Sequence, residues 1–122
     1  EVFSDERPVL INRDYAPSNW LINEQNNLVG IIDFECMFWG LEVDSFGILW
    51  DRYFPDYYHG EEAFFAGYGY NPLKKKPLQS RIMMIKMGIA DISYGTCQKK
   101  EEYIKTGRRL LNRVIKDIIW LM

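Results

Sequence analysis

Two stretches decide the fold and the chemistry of this chain: Asn12-Arg13-Asp14-Tyr15-Ala16-Pro17-Ser18-Asn19, and Ile31-Ile32-Asp33-Phe34-Glu35. An apolar run at 9–11 precedes the first stretch and predicts a short buried strand. Two further apolar runs, 20–22 and 28–32, flank a polar cluster and predict a β-hairpin. Because a hairpin reverses the chain, we expect Asp33 to return beside the loop that holds Asp14 and Asn19.

The rest of the sequence predicts helices. Asp44 or Ser45 suits the N-cap of a helix that stops before Pro55. A second helix is expected over 59–68, and a long one over 77–98, where isoleucines recur every three or four residues and proline occupies the first position. The predicted fold class is therefore α+β and mostly helical, with a small β-hairpin carrying the segments of chemical interest.

Composition limits the partners that the chain is expected to have. The 122 residues carry a formal net charge of −2, so no basic face for nucleic acid is expected. No apolar run of about 18 residues is present, so no membrane partner is expected either. Cys36 and Cys97 lie far apart outside any paired motif, which favours a reducing, cytoplasmic setting over a zinc site or a disulfide.

The residue types in the two stretches fit phosphoryl transfer. Asp14 and Asn19 are five residues apart, and an Asp-Phe pair follows after the hairpin, as in the catalytic loop and metal segment of protein kinases. A carboxylate such as Asp14 can orient an attacking hydroxyl and accept its proton. Asn19 and Asp33 offer the oxygen ligands that Mg²⁺ prefers.

The same residues resemble the phosphotransferase motif of aminoglycoside phosphotransferases and choline-kinase-like enzymes. That motif has His-Gly-Asp, then a proline and an asparagine, then Ile-Asp-Phe/Trp-Glu. This chain has Asn12-Arg13-Asp14, Pro17, Asn19 and Ile32-Asp33-Phe34-Glu35. Glu35, where protein kinases have glycine, favours the small-molecule enzymes. Gly40 and Asp44 lie near a further Gly and Asp element of the family.

The resemblance implies a role for each matching residue. Asp14 would be the catalytic base, and Asn19 and Asp33 would hold Mg²⁺. Asn12, Arg13 and Asp44 would brace the catalytic loop. The expected substrate contacts are Glu35, at the end of the metal segment, and Trp50, Asp51 and Tyr53, farther along the chain where the family forms its acceptor pocket.

The resemblance also implies a fold and a function. Residues 1–122 would be a protein-kinase-like C-terminal lobe. The sequence has no Gly-rich loop and no lysine on a following strand, which such enzymes use to bind the nucleotide. The expected partner is therefore an N-terminal nucleotide-binding lobe of the same protein. With Mg²⁺ and ATP or GTP, the whole protein would phosphorylate a hydroxyl of a small molecule. An aminoglycoside antibiotic is the first expectation, which would make the protein a resistance enzyme, and choline, ethanolamine or a sugar comes next. The fragment alone is expected to be inactive.

Departures from the motif leave two alternatives open. Asn12 replaces the family's His, Arg13 replaces Gly, and Leu41 stands where the family often has Asp. A catalytically impaired kinase-fold binding module is one alternative. An unrelated helical interaction domain is the other, and it predicts that the side chains of Asp14, Asn19 and Asp33 point apart.

Overall fold

The computed structural model describes the backbone of residues 2–119 and the side chains of residues 2–116. The chain divides into two compact units. The first is Ser4–Asn71, and the second runs from Pro72 onwards and includes residues 2–3. Among the described residues, no helix combines the length and the apolar character that a membrane span requires.

The first unit contains two small antiparallel sheets. Strand β1 (Val9–Asn12) pairs with β4 (Met37–Gly40), and β2 (Trp20–Ile22) pairs with β3 (Leu28–Ile31). The β2–β3 hairpin agrees with the sequence prediction. The β1–β4 sheet does not follow from the sequence, which predicts no strand for the Met-Phe-Trp run at 37–39.

The β2–β3 hairpin is closed by its asparagines. The Asn23 side-chain oxygen accepts the backbone N–H groups of Gln25 (3.0 Å) and Asn27 (2.9 Å). Asn26 adopts a left-handed conformation with φ of 62°, which asparagine tolerates better than most residues. Local side-chain bonding of this kind gives the polar cluster a defined turn, so the two strands meet at a fixed point.

The segment after β4 winds through short turns rather than one regular helix. A 3₁₀ turn covers Glu42–Ser45, a π-helical turn covers Leu49–Tyr53, and a second 3₁₀ turn covers Phe54–Asp56. The predicted N-cap residues, Asp44 and Ser45, therefore lie inside the first 3₁₀ turn. The predicted stop near Pro55 holds, since the π-helical turn ends at Tyr53 and Pro55 lies in a new 3₁₀ turn that begins at Phe54.

Regular helices follow: α1 (Gly60–Tyr68), α2 (Pro72–Lys75), α3 (Pro77–Gln98) and α4 (Glu101–Ile119). Gly69 ends α1 with φ of 101°, a conformation that glycine adopts without strain. The bounds of α3 agree with the prediction for 77–98. Two elements of the sequence explain that agreement: a proline at the first helical position and an apolar residue on every turn.

The second unit is a helical hairpin whose helices touch at glycines. A Cβ atom added at Gly88 of α3 would lie 2.9 Å from the Leu111 side chain, and one added at Gly107 of α4 would lie 2.8 Å from Ile92. These distances are shorter than van der Waals contact, so neither position accommodates a side chain. The close approach buries Leu110 and Val114 of α4 completely.

Candidate functional site

The loop after β1 is restrained by a hydrogen bond to the side chain of Asn12. Asn12 is the last residue of β1 and is only 8% exposed. Its side-chain oxygen accepts the backbone N–H of Asp14 at 2.9 Å, and the carbonyl of Asp14 accepts the N–H of Ala16 at 2.8 Å. A buried side chain thus holds the backbone that carries the Asp14 carboxylate.

Asp14 and Asn19 are in direct contact. The Asn19 amide nitrogen donates to the Asp14 carboxylate at 3.1 Å and to the Asp14 backbone carbonyl at 3.0 Å. Asn19 ends the 3₁₀ turn Pro17–Asn19, which brings its side chain back to the start of the loop. The helical-interaction-domain alternative predicted that these side chains point apart, and for this pair the prediction is wrong.

The hairpin returns Asp33 to the same loop. Trp20 pairs with Ile31, and the next N–H, that of Ile32, donates to the backbone carbonyl of Asn19 at 2.9 Å. Asp33 follows directly, is exposed, and has φ of 65°. A positive φ at a non-glycine residue costs about 1 kcal/mol or more and concentrates at functional sites. The backbone therefore places Asp33 directly after Ile32, whose N–H is hydrogen-bonded to Asn19.

The oxygen donors suit a hard cation. Because the amide nitrogen of Asn19 is committed to Asp14, its amide oxygen is the atom that could ligate a metal, together with the Asp33 carboxylate. Within the described residues, no group of three or more His, Cys, Asp or Glu side chains is placed to hold a metal ion. A site of one amide and one carboxylate is still of the kind that Mg²⁺ uses, since substrate phosphates and water supply its other ligands.

An ion pair ties the loop to the segment after β4. The Arg13 Nε lies 3.2 Å from the Asp44 carboxylate, and the Arg13 guanidinium lies 5.0 Å from the centre of the Phe38 ring. The Asp44 side chain is only 11% exposed, whereas that of Arg13 is 45% exposed. Asn12, Arg13 and Asp44, the three residues expected to brace the loop, all make contacts that restrain it.

The family comparison covers this region. Residues 2–78 match the model of the phosphotransferase enzyme family, which is more than half of the 122 residues. The chain belongs to the phosphotransferase enzyme family. Comparisons with curated proteins and with solved structures gave no significant match.

Membership confirms the resemblance to aminoglycoside phosphotransferases and choline-kinase-like enzymes, and it supports a phosphotransferase-type function in general terms. The matched residues include all ten positions singled out from the sequence, from Asn12 to Tyr53.

The expected substrate contacts of this phosphotransferase chain are placed in different surroundings. Trp50 is 7% exposed and Asp51 is 3% exposed, so both are buried in the π-helical turn. The Asp51 carboxylate lies 4.0 Å from the Arg52 Nε. Tyr53 is half-buried and lines a cavity, and Glu35 is exposed in the turn between Phe34 and β4. Only Glu35 and Tyr53 of the four therefore present surface to a ligand.

Tyr53 lines an aromatic cavity whose other walls do not follow from the sequence. Its volume is about 380 Å³, and Trp20 and Phe64 form part of its wall with their rings stacked at 6.2 Å. In sequence, both residues have the pattern of ordinary core aromatics. The available signal was the density of aromatic residues over 53–70, and only packing shows that these rings surround a space.

A smaller cavity of about 270 Å³ lies beside the loop, with Asn12, Tyr15 and Phe34 in its wall. Burial raises the pKa of the Tyr15 phenol. Farther out, the Glu42 carboxylate accepts hydrogen bonds from the hydroxyls of Tyr68 and Tyr70. Burial is the larger cause of the raised pKa of Tyr68, and the hydrogen bond to Glu42 adds to it. For Tyr70 the hydrogen bond to Glu42 is the larger cause of the raised pKa, and burial adds to it. These phenols therefore remain protonated donors.

Proposed function

We propose that the protein transfers the γ-phosphate of ATP or GTP to a hydroxyl group of a small molecule, with Mg²⁺. The observation that carries the proposal is the hydrogen bond between Asn19 and the Asp14 carboxylate, in a loop to which the hairpin returns Asp33. Family membership gives the general class, phosphotransferase. The loop supplies the groups that this class of reaction requires.

Each residue of the loop has a distinct task in this proposal. The Asp14 carboxylate accepts a hydrogen bond from the acceptor hydroxyl, orients its oxygen, and takes its proton as the new bond forms. Asn19 holds that carboxylate in place through its amide nitrogen. Asn19 and Asp33 would hold Mg²⁺, which neutralises charge on the transferring phosphate when bound.

Two contacts restrain the loop in this proposal. Asn12 fixes the backbone N–H of Asp14, and Arg13 joins the loop to Asp44. A carboxylate displaced by about 1 Å can lose about a hundredfold in rate, so such restraints matter for turnover. We assign positioning roles to these residues, since none of them is proposed to touch the reacting atoms.

Residues 1–122 form the kinase-like C-terminal lobe in this proposal. The nucleotide phosphates need a Gly-rich loop and a lysine, which we assign to an N-terminal lobe of the same protein. The described chain by itself is then inactive. The exposed free thiols of Cys36 and Cys97 suit a reducing cytoplasm, the setting that we propose for the enzyme.

The acceptor expected first from the resemblance is an aminoglycoside, followed by choline, ethanolamine or a sugar. A resistance role would follow from the first of these. A cationic acceptor held by the Asp51 carboxylate is not part of this proposal, because the Asp51 side chain is buried beside Arg52. Tyr53 and Glu35 remain the proposed substrate contacts from the earlier set.

The test is an Asp14→Asn exchange in the protein that carries both lobes. We expect kcat to fall about 10²-fold to 10⁴-fold, the contribution typical of a general base, while Mg²⁺-dependent binding of ATP persists. Asp5→Asn is the matched control, since Asp5 is exposed and lies outside the loop. Equal turnover of both variants would remove Asp14 from the mechanism. ATP binding by the parent protein without turnover of any hydroxyl compound would favour the impaired binding module.

A further inference from the structure

The aromatic cavity has the size of a ligand site and lies wholly within the first unit. It occupies about 380 Å³, within the range of about 300–1,000 Å³ usual for small-molecule pockets. Since a cavity of about 150 Å³ accommodates one benzene, this one has room for roughly two rings. Its walls are mainly aromatic, with Trp20, Tyr53, Phe54, Tyr57 and Phe64 as the ring-bearing members.

One wall of the aromatic cavity is formed where the catalytic loop ends and β2 begins. Pro17 and Trp20 line the space, and they flank Asn19 in the sequence. Asn19 in turn is hydrogen-bonded to the Asp14 carboxylate. A molecule seated in the cavity therefore lies against the loop that carries the proposed base.

The rings that form the wall are held by one another. Phe64 stacks on Trp20 with an interplanar angle of 13°, and it meets Tyr15 at 5.9 Å and Phe54 at 5.7 Å. Walls supported in this way are pre-formed, so ordering them costs little free energy when a ligand binds. The indole N–H of Trp20 is buried and has no hydrogen-bond partner among the described residues.

Charge is missing from the aromatic cavity. Among the described residues that line it, none carries a charged side chain. A polycation entering this space would lose hydration without meeting a carboxylate, which is costly. A neutral ring system would instead gain apolar contact and edge or face contacts with the aromatic walls.

We propose that the aromatic cavity holds the ring system of the phosphate acceptor, which is therefore a neutral, largely apolar, ring-bearing compound with a hydroxyl group. This rests on the proposed function. The acceptor oxygen forms a bond to the γ-phosphorus of the nucleoside triphosphate while the bond from that phosphorus to the β–γ bridging oxygen breaks. The hydroxyl proton passes to Asp14, and the nucleoside diphosphate leaves.

The test uses 2-(2-naphthyl)ethanol, a neutral two-ring alcohol, and kanamycin, a polycationic sugar, as probes of the protein that carries both lobes. Binding is measured by titration calorimetry, without nucleotide. Tyr57→Ala removes a ring at the rim, where the side chain is 59% exposed, so folding is preserved. Tyr58→Ala is the matched control, because Tyr58 is 93% exposed and does not line the cavity.

We expect the naphthyl alcohol to bind, Tyr57→Ala to weaken it about threefold to tenfold, and Tyr58→Ala to leave it unchanged. Addition of ATP and Mg²⁺ should then yield the phosphate ester. Phosphorylation of kanamycin with no binding of the naphthyl alcohol would overturn the inference and leave the proposed function standing. Tyr57-dependent binding without transfer would overturn the acceptor role. If no other hydroxyl compound is phosphorylated either, the proposed function fails with it.

Discussion

Replacing Gly107 by alanine places a methyl group where α3 and α4 approach each other most closely. The new Cβ would lie 2.8 Å from Ile92 Cγ1 and 3.1 Å from Asp91 Cβ, against an ordinary carbon contact of about 3.5–4.0 Å. The backbone oxygen of Gly88 is nearer still, and a backbone atom cannot rotate away. The helices must therefore separate or distort.

Two effects of opposite sign determine the outcome of Gly107→Ala. Alanine in a helix interior stabilises it by about 1 kcal/mol relative to glycine. Overpacking of a tight contact costs about 1–3 kcal/mol, and the overlap with backbone puts this site in the upper part of that range. We therefore expect a net loss of about 1–2 kcal/mol in the free energy of unfolding.

Gly67→Ala is the matched control for this experiment. Gly67 lies in α1, and an added Cβ would have no neighbour within 4 Å. Only the propensity effect acts there, so we expect a gain of about 0.5–1 kcal/mol. Urea unfolding followed by far-ultraviolet circular dichroism measures both variants against the parent. Stabilisation of Gly107→Ala to the same degree as Gly67→Ala would refute the close helix contact.

Three further predictions concern the loop and the phenols. Asn12→Ala should lower kcat about tenfold to a hundredfold with unchanged affinity for ATP, because Asp14 loses its backbone restraint. Asn12→His, which introduces the family's residue, should retain more activity. Identical kinetics for the two variants would contradict this prediction. A double-mutant cycle with Arg13→Gln and Asp44→Asn should give a coupling of about 0.5–1 kcal/mol that shrinks in 1 M salt, and zero coupling would show that the pair does not stabilise the loop. Since the pKa of Tyr68 is raised in the folded state, that phenol's contribution is complete below about pH 10 and is lost as pH rises further. Tyr68→Phe should therefore flatten the decline in unfolding free energy as the pH rises above about 10, and an unchanged decline would argue against the raised pKa.

Local sequence was sufficient to predict those elements whose conformation is defined by neighbouring residues. The hairpin at 20–31 follows from two apolar runs around an asparagine cluster whose side chains bond their own backbone. The helix at 77–98 follows from its proline and its apolar spacing. The spacing of Asp14 and Asn19 predicted that one loop carries both residues, whereas the hydrogen bond between them depends on the 3₁₀ turn Pro17–Asn19, which the sequence did not predict.

Tertiary structure alone decided the features that join distant residues or depend on burial. The pairing of Val9 with Gly40 brings together residues that no local pattern connects, and the run that forms β4 has no turn signal linking it to β1. Asp51 has the sequence pattern of an exposed helix carboxylate, yet the π-helical turn buries it. The aromatic cavity has the same origin, since a sequence specifies which rings are present but only their packing leaves a space between them. Propensity acts over a few neighbouring residues, whereas strand pairing, burial and cavities are set by the whole fold.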